Sequence, residues 1–234
     1  MSTHEPQASS KFDDCAANYD ALHAESITAS GEPTEYFAQY KLDCIKRLGL
    51  RSDGAVLDYG CGIGNLTEQL VTVFSDVHAF DPSTKSLEVA RRRAPGAKFH
   101  ASAGELQSGK FEAIVVAGVL HHVPPKERPS LLAELYDKLA PRGRLIVFEH
   151  NPLNPLTRRV VKACAFDDDA ILLWPWEAKR LVAESGFVGT RLDYIVFFPR
   201  ALAALRPLEP KLAWNWLGAQ MMVVGRRADG PKPG

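Results

Sequence analysis

Cysteine is scarce in this chain and scattered where it occurs: Cys15, Cys44, Cys61 and Cys164 lie far apart and form no C-x-x-C pair. That spacing argues against a zinc site and against a stapled secreted scaffold, and it fits a reducing compartment; no metal is expected. Long apolar runs are missing too. Nowhere do eighteen apolar residues follow one another, and the first thirty residues hold no basic stretch leading into an apolar one. Neither a membrane span nor an export signal is therefore expected, and the chain reads as cytoplasmic. Excess charge of one sign is the third absence: 28 Lys and Arg face 28 Asp and Glu. Without an overall field, no nucleic acid is expected as partner and no anionic membrane is held by net charge, although a local patch stays open.

What is present suits one domain with extra segments, since 234 residues with 46% apolar content can fill a large core. Short apolar runs, Ala55 to Leu57, Val77 to Phe80, Phe111 to Val119 and Leu145 to Phe148, alternate with segments of helical period, the rhythm of a parallel α/β sheet. Ile114, Val115 and Val116 are apolar at successive positions, which predicts a central strand buried on both faces. Leu66, Leu70 and Phe74 share one helical face, and Leu132, Leu135 and Leu139 another. Upstream, helices are predicted over Lys11 to Tyr19 and Pro33 to Leu50, making residues 1–50 a helical cap. Downstream, a helix from Glu177 to Ser185 stops at Gly186, and the strands Leu192 to Phe198 and Gln220 to Val224 are expected to pair antiparallel at one sheet edge. Residues 51–227 then form the main domain, with insertions at 150–173 and 199–217, and 228–234 a disordered tail.

The strongest signal is Val56-Leu57-Asp58-Tyr59-Gly60-Cys61-Gly62-Ile63-Gly64-Asn65, a strand running into a glycine turn and then a helix. Glycines there let the backbone turn sharply and approach a ligand. Asn65 and Glu68 have the spacing of a capping box, so the helix is expected to begin where the glycines end. About twenty residues past Gly60, Asp81 closes the second apolar run, where a carboxylate can take both hydroxyls of a ribose. The turn is not the nicotinamide fingerprint, because Asn65 replaces the last glycine and Asp58 adds an acid. A carboxylate beside the turn repels a pyrophosphate and suits a cation such as a methionyl α-ammonium.

Asp58-x-Gly60-x-Gly62-x-Gly64 followed by Asp81 resembles the class I S-adenosylmethionine-dependent methyltransferase family, of the small-molecule type. The likeness runs over about residues 50 to 150, through Leu120-His121-His122-Val123 and Leu139-Ala140-Pro141-Arg142-Gly143-Arg144-Leu145. It implies a Rossmann-like, doubly wound, seven-stranded, mostly parallel sheet with its last strand antiparallel and helices on both faces. S-adenosyl-L-methionine is the implied cofactor, with Gly60, Gly62 and Gly64 beside its methionyl part and Asp81 on its ribose. Cys61, Asn65 and Pro82 flank those positions, Ala117 in the fourth strand region is a further implied cofactor contact, and Tyr19, in Asn18-Tyr19-Asp20, resembles a segment folded over the cofactor. Many relatives carry an aspartate near the adenine amino group; here Phe99-His100-Ala101-Ser102-Ala103-Gly104-Glu105 has no acid at that spot, leaving Ser102, the Ala103 backbone or a shifted Glu105.

Methyl transfer is an in-line displacement that needs alignment and water exclusion, with a base only for nucleophiles that lose a proton. His121 and His122 stand just past a strand's carboxyl end, where open α/β sheets bind ligands, as candidates for acceptor contact or base; capping or local packing is the alternative for each. Glu149 and His150 face the same crevice. The run from Asn151 to Arg159 and on to Asp167, Asp168 and Asp169 is long for a simple connection. It reads as a cover for a polar acceptor or as a solvated loop. Between the last two strands, Leu202, Leu205, Leu208, Leu212, Trp214, Trp216 and Leu217 make a greasy connection, read as core packing or a homodimer surface, or else as a lipid-linked acceptor pocket or shallow membrane contact. The expected activity is methyl transfer to oxygen or nitrogen of a small-molecule acceptor, a metabolite or a lipid or saccharide precursor. A non-catalytic binding or assembly protein of the same fold is the alternative.

Overall fold

The computed structural model describes residues 31–164 and 170–229. The helix predicted over Lys11 to Tyr19, Tyr19 itself, Asp167 to Asp169 and residues 230–234 lie outside the described residues. Seven strands make one sheet: β1 (Ala55–Tyr59), β2 (Asp76–Phe80), β3 (Lys98–His100), β4 (Phe111–Ala117), β5 (Leu139–His150), β6 (Val188–Ile195) and β7 (Gln220–Arg226). Their order is β3-β2-β1-β4-β5-β7-β6. The first five are parallel, and β7 runs antiparallel to both β5 and β6. This is the doubly wound architecture expected, with β4 in the centre.

Alternation along the central strands shows why. Ile114 and Val116 of β4 enter one core layer with Leu145 and Val147 of β5, while Ala113 and Val115 enter the opposite layer with Ile146 and Phe148. Both faces must be covered by helices, so both sets of side chains are apolar. On the first face lie α4 (Arg128–Lys138), through Leu132, Leu135 and Tyr136, and α6 (Pro175–Glu184), through Ala178 and Val182. The second is covered by α1 (Thr34–Lys46), through Leu42 and Ile45, and α2 (Asn65–Leu70), through Leu66 and Leu70. Between β2 and β3, α3 (Thr84–Arg93) packs Leu87 on Ala79. The direction of strand succession reverses between β1 and β4, which opens the ligand crevice of such sheets at their carboxyl ends.

Several local expectations need correction. The helix after the glycines starts at Asn65, but its cap is Gly64, left-handed at φ 86° and with no side-chain cap. Asn65 does not form a capping box: its amide oxygen accepts from Arg93 of α3. Leu139 is buried as expected but opens β5 instead of extending α4, and β6 ends at Ile195, three residues before Phe198. Val196, next in line, has φ 60°, a conformation no β-branched residue extends as strand. The two long connections carry structure of their own. Helix α5 (Pro155–Ala163) occupies the first, and a 3-10 ledge (Arg200–Leu212), kinked at Leu202, occupies the second. At the far end Asp229 pairs with Arg142 at 3.3 Å.

Candidate active site

The three glycines of the turn all have positive φ, yet they meet different neighbours. A Cβ on Gly60 would stand 2.4 Å from Cγ2 of Val119, and one on Gly64 2.9 Å from Cβ of Ala90. Those two glycines let the β1 turn close on the β4 turn and α2 close on α3. Gly62 is the exception: a Cβ there would meet no atom within 4 Å. The turn is fixed by Phe80, whose carbonyl accepts from the N–H groups of Gly60 and Cys61 at 2.8 and 2.9 Å. Burial pushes the Cys61 thiol well up, so it stays protonated.

Asp81 lies beside Gly62. One carboxylate oxygen accepts from the Gly62 N–H at 2.8 Å and the other from the Ser83 N–H at 2.9 Å. Two backbone N–H groups, one on each oxygen, thus orient the Asp81 carboxylate. Pro82 sits half-buried between Asp81 and Ser83, the N-cap of α3. Asp58, at the end of β1, is buried and accepts from Oγ1 of Thr67 at 2.7 Å. Burial pushes its carboxyl up to about 6; the Thr67 hydroxyl opposes that, the Asp81 charge adds to it, and Lys41 opposes it.

Lys41 was not anticipated from the sequence. It shares the inward face of α1 with Ala38, Leu42 and Ile45, at helical spacing. Burial lowers its pKa, while the charges of Asp58, Cys44 and Glu149 raise it. A lysine on an amphipathic helix ordinarily reads as surface; only the presence of two buried carboxylates opposite identifies this one. The region past β3 is anchored by Lys138, which donates to the carbonyls of Ala103 at 3.0 Å and Leu106 at 3.3 Å. Ser102 is exposed and its hydroxyl accepts from the Gly104 N–H, while Glu105 turns to His100 at 3.3 Å.

Across the crevice, β4 ends at Ala117 and a short turn (Leu120–His122) follows. Its two histidines differ. Nδ1 of His121 lies 2.6 Å from Oε2 of Glu149, with both side chains 2% exposed, and Oε1 of Glu149 accepts from the Leu120 N–H at 2.8 Å. Burial alone would raise the Glu149 carboxyl; the charge and hydrogen bond of His121, the charge of His150 and the Leu120 N–H outweigh it and hold the carboxyl below its ordinary value. His122 is half-buried, its ring 4.1 Å from that of His121, and the His150 ring lies 5.2 Å from that of His121. An imidazole cluster braced by one buried carboxylate thus stands at the carboxyl ends of β4 and β5. The described residues contain no group of three or more His, Cys, Asp or Glu placed to hold a metal.

With this geometry in place, comparison with known proteins gives a consistent result. Residues 56–143 match the family model for a methyltransferase domain. An uncharacterized methyltransferase of Bacillus mycoides is 30% identical over 144 residues, which cover 58% of this chain and 64% of that protein. A second, from Oceanobacillus iheyensis, is 26% identical over 146 residues, covering 58% and 65%. The chain spans just under two thirds of the length of these curated relatives. Among solved structures, an S-adenosylmethionine-dependent methyltransferase from Thermotoga maritima superposes with a TM-score of 0.68 at 20% identity, over 96% of this chain and 100% of that one. Magnesium protoporphyrin IX methyltransferase from Synechocystis PCC 6803, with bound S-adenosylmethionine, gives 0.58 at 17% identity, over 88% and 84%. Over residues 56–143 the chain matches a methyltransferase domain, and its fold is the one shared by solved S-adenosylmethionine-dependent methyltransferases. Several solved proteins of this fold hold S-adenosylmethionine or S-adenosylhomocysteine.

Proposed function

We propose that this protein binds S-adenosylmethionine at the turn after β1 and transfers its methyl group to oxygen or nitrogen of a small acceptor. The observation that carries this reading is an open Gly62 held against Asp81, with a buried carboxylate at Asp58 whose charge Lys41 of α1 offsets. The methionyl end of the cofactor is a zwitterion. Asp58 suits its ammonium and Lys41 its carboxylate, whereas a pyrophosphate at the same turn would be repelled by Asp58. Asp81, oriented by two backbone N–H groups, is assigned to the ribose hydroxyls. Cys61, Gly64, Asn65 and Pro82 shape the turn around these contacts, while Ser102 and Ala103 are assigned to the adenine end. Ala117 flanks the reacting centre.

The cofactor supplies an activated methyl carbon; the protein aligns a nucleophile with it and excludes water. An ionised Glu149 holds the His121 ring proton on Nδ1 and fixes the ring. His121 in turn supports His122, which is assigned to the acceptor and to its departing proton. Thermal melting with S-adenosylmethionine, S-adenosylhomocysteine and NAD, on wild type and on Gly62→Val, tests the assignment. The sulfur compounds raise the wild-type melting temperature and leave Gly62→Val unmoved; an equal rise in both proteins overturns the site. Release of S-adenosylhomocysteine with a panel of acceptors then separates an enzyme from a binding protein of the same fold.

A further inference from the structure

One surface lies outside everything assigned above. Leu156, Trp214, Trp216 and Leu217 are each at least half exposed, Trp214 by 77%. They form one patch, because hydrogen bonds stitch their segments together: Asn154 Nδ2 donates to the Leu217 carbonyl and Asn151 Nδ2 to that of Trp216, both at 2.7 Å, and Thr157 Oγ1 donates to that of Ala219 at 2.9 Å. Along the ledge, Leu205 and Leu208 are also exposed at 3-10 spacing, which stacks them in one row with Lys211 next. The ledge has no need of these side chains for attachment. Its inner side is held by polar contacts, Tyr40 to Glu209, Glu209 to the Phe197 and Phe198 N–H groups, and Arg206 to Glu32.

Charge selects the occupant. The described residues of 150–173 and 199–217 contain six cations and a single acid, Glu209, which is buried; Asp167 to Asp169 of the first connection lie outside the described residues. Arg206 is taken by Glu32, leaving Arg158, Arg159, Lys162, Arg200 and Lys211, all exposed, on the two connections that carry the apolar patch. A twofold dimer through this face would set those cations against their own copies. We infer that this face docks on an anionic bilayer surface. Tryptophan and leucine at the acyl boundary with lysine and arginine at the headgroups is the arrangement such surfaces favour. Because His150 of β5 pairs with Gln220 of β7, the 214–219 loop lies at the same carboxyl end of the sheet as the glycine turn, so docking through it brings that end of the sheet to the lipid. The docking claim stands independently of methyl transfer.

The test is flotation of the full chain with vesicles of phosphatidylglycerol and of phosphatidylcholine, with tryptophan fluorescence recorded in parallel. Expected is association with the anionic vesicles and a blue shift, both weakened by salt. Charge reversal at Arg158 and Arg159 lowers the association by about five-fold or more per residue, a basic side chain near an anionic surface contributing about 1 kcal/mol. Trp214→Ser with Trp216→Ser abolishes the blue shift and leaves the melting temperature unchanged. Equal association with both vesicle types, no loss in the variants, or sedimentation as a dimer that hides the tryptophans overturns the inference.

Discussion

The glycine turn and the 200–217 connection that carries the ledge lie at the same carboxyl end of the sheet, and they are built on opposite plans. Around the turn, polar groups hold one another: Phe80 fixes the loop backbone, Asp81 is pinned from two sides and Thr67 satisfies Asp58. Apolar side chains there are buried between helices and sheet. On the ledge the polar groups face inward and the leucines and tryptophans face out. A polar site enclosed by a core organises a small ligand; an apolar surface rimmed by cations meets a large one. The two regions therefore respond differently to substitution.

The largest effect separates the interior of the crevice from the ledge. Glu149→Ala leaves His121 buried without its carboxylate and the Leu120 N–H without its acceptor, and costs about 3–5 kcal/mol by chemical denaturation. Next come the glycines. Gly60→Ala and Gly64→Ala combine a left-handed backbone with a close contact and cost about 2–4 kcal/mol. Gly62→Ala meets no neighbour and costs about 1–2 kcal/mol, from backbone strain alone. If all three glycines lose the same stability, the distinction between packing and ligand-facing positions fails.

Asp58 gives a smaller effect with a definite sign. Its folded pKa, about 6, lies above its unfolded value, so the folded protein binds the extra proton and acidification from about pH 6 to about pH 4 favours folding at this group. His78 opposes it in the same window. Burial lowers its pKa to about 4, so the unfolded state takes the proton first and stability falls as pH drops below about 6.5. Asp58→Asn removes only the first contribution, and its melting temperature drops more steeply with acidification than that of wild type. In the wild type, binding of a cationic ligand beside Asp58 favours the carboxylate, so affinity weakens as pH falls through about 6; calorimetry across that range measures it. The smallest effect belongs to the exposed patch beyond the ledge, where Trp214→Ser changes stability by less than about 0.5 kcal/mol.

Much of the fold was legible in the sequence, for a physical reason. Strands buried on both faces read as continuous apolar runs, and Ile114 to Val116 mark the sheet centre for that reason. The β1 turn was legible because its backbone requires glycine at three fixed positions. The capping box at Asn65 failed because the left-handed Gly64 already forms the helix entry and Arg93, 28 residues away, claims the Asn65 side chain. No local pattern encodes such a pairing. Lys41 was hidden likewise: its significance arises only when α1 packs over the ends of β1 and β5. The sequence could not rank His121 against His122, since the difference is made by Glu149 from another strand.

The most direct test of the account is calorimetric titration of the purified protein with S-adenosylmethionine, S-adenosylhomocysteine and NAD. Saturable one-site binding of both sulfur compounds, with no heat from NAD, is the result predicted from an open Gly62 beside Asp81, with Asp58 and Lys41 assigned to the methionyl end. Absence of binding by either sulfur compound, or equal binding of NAD, would contradict it.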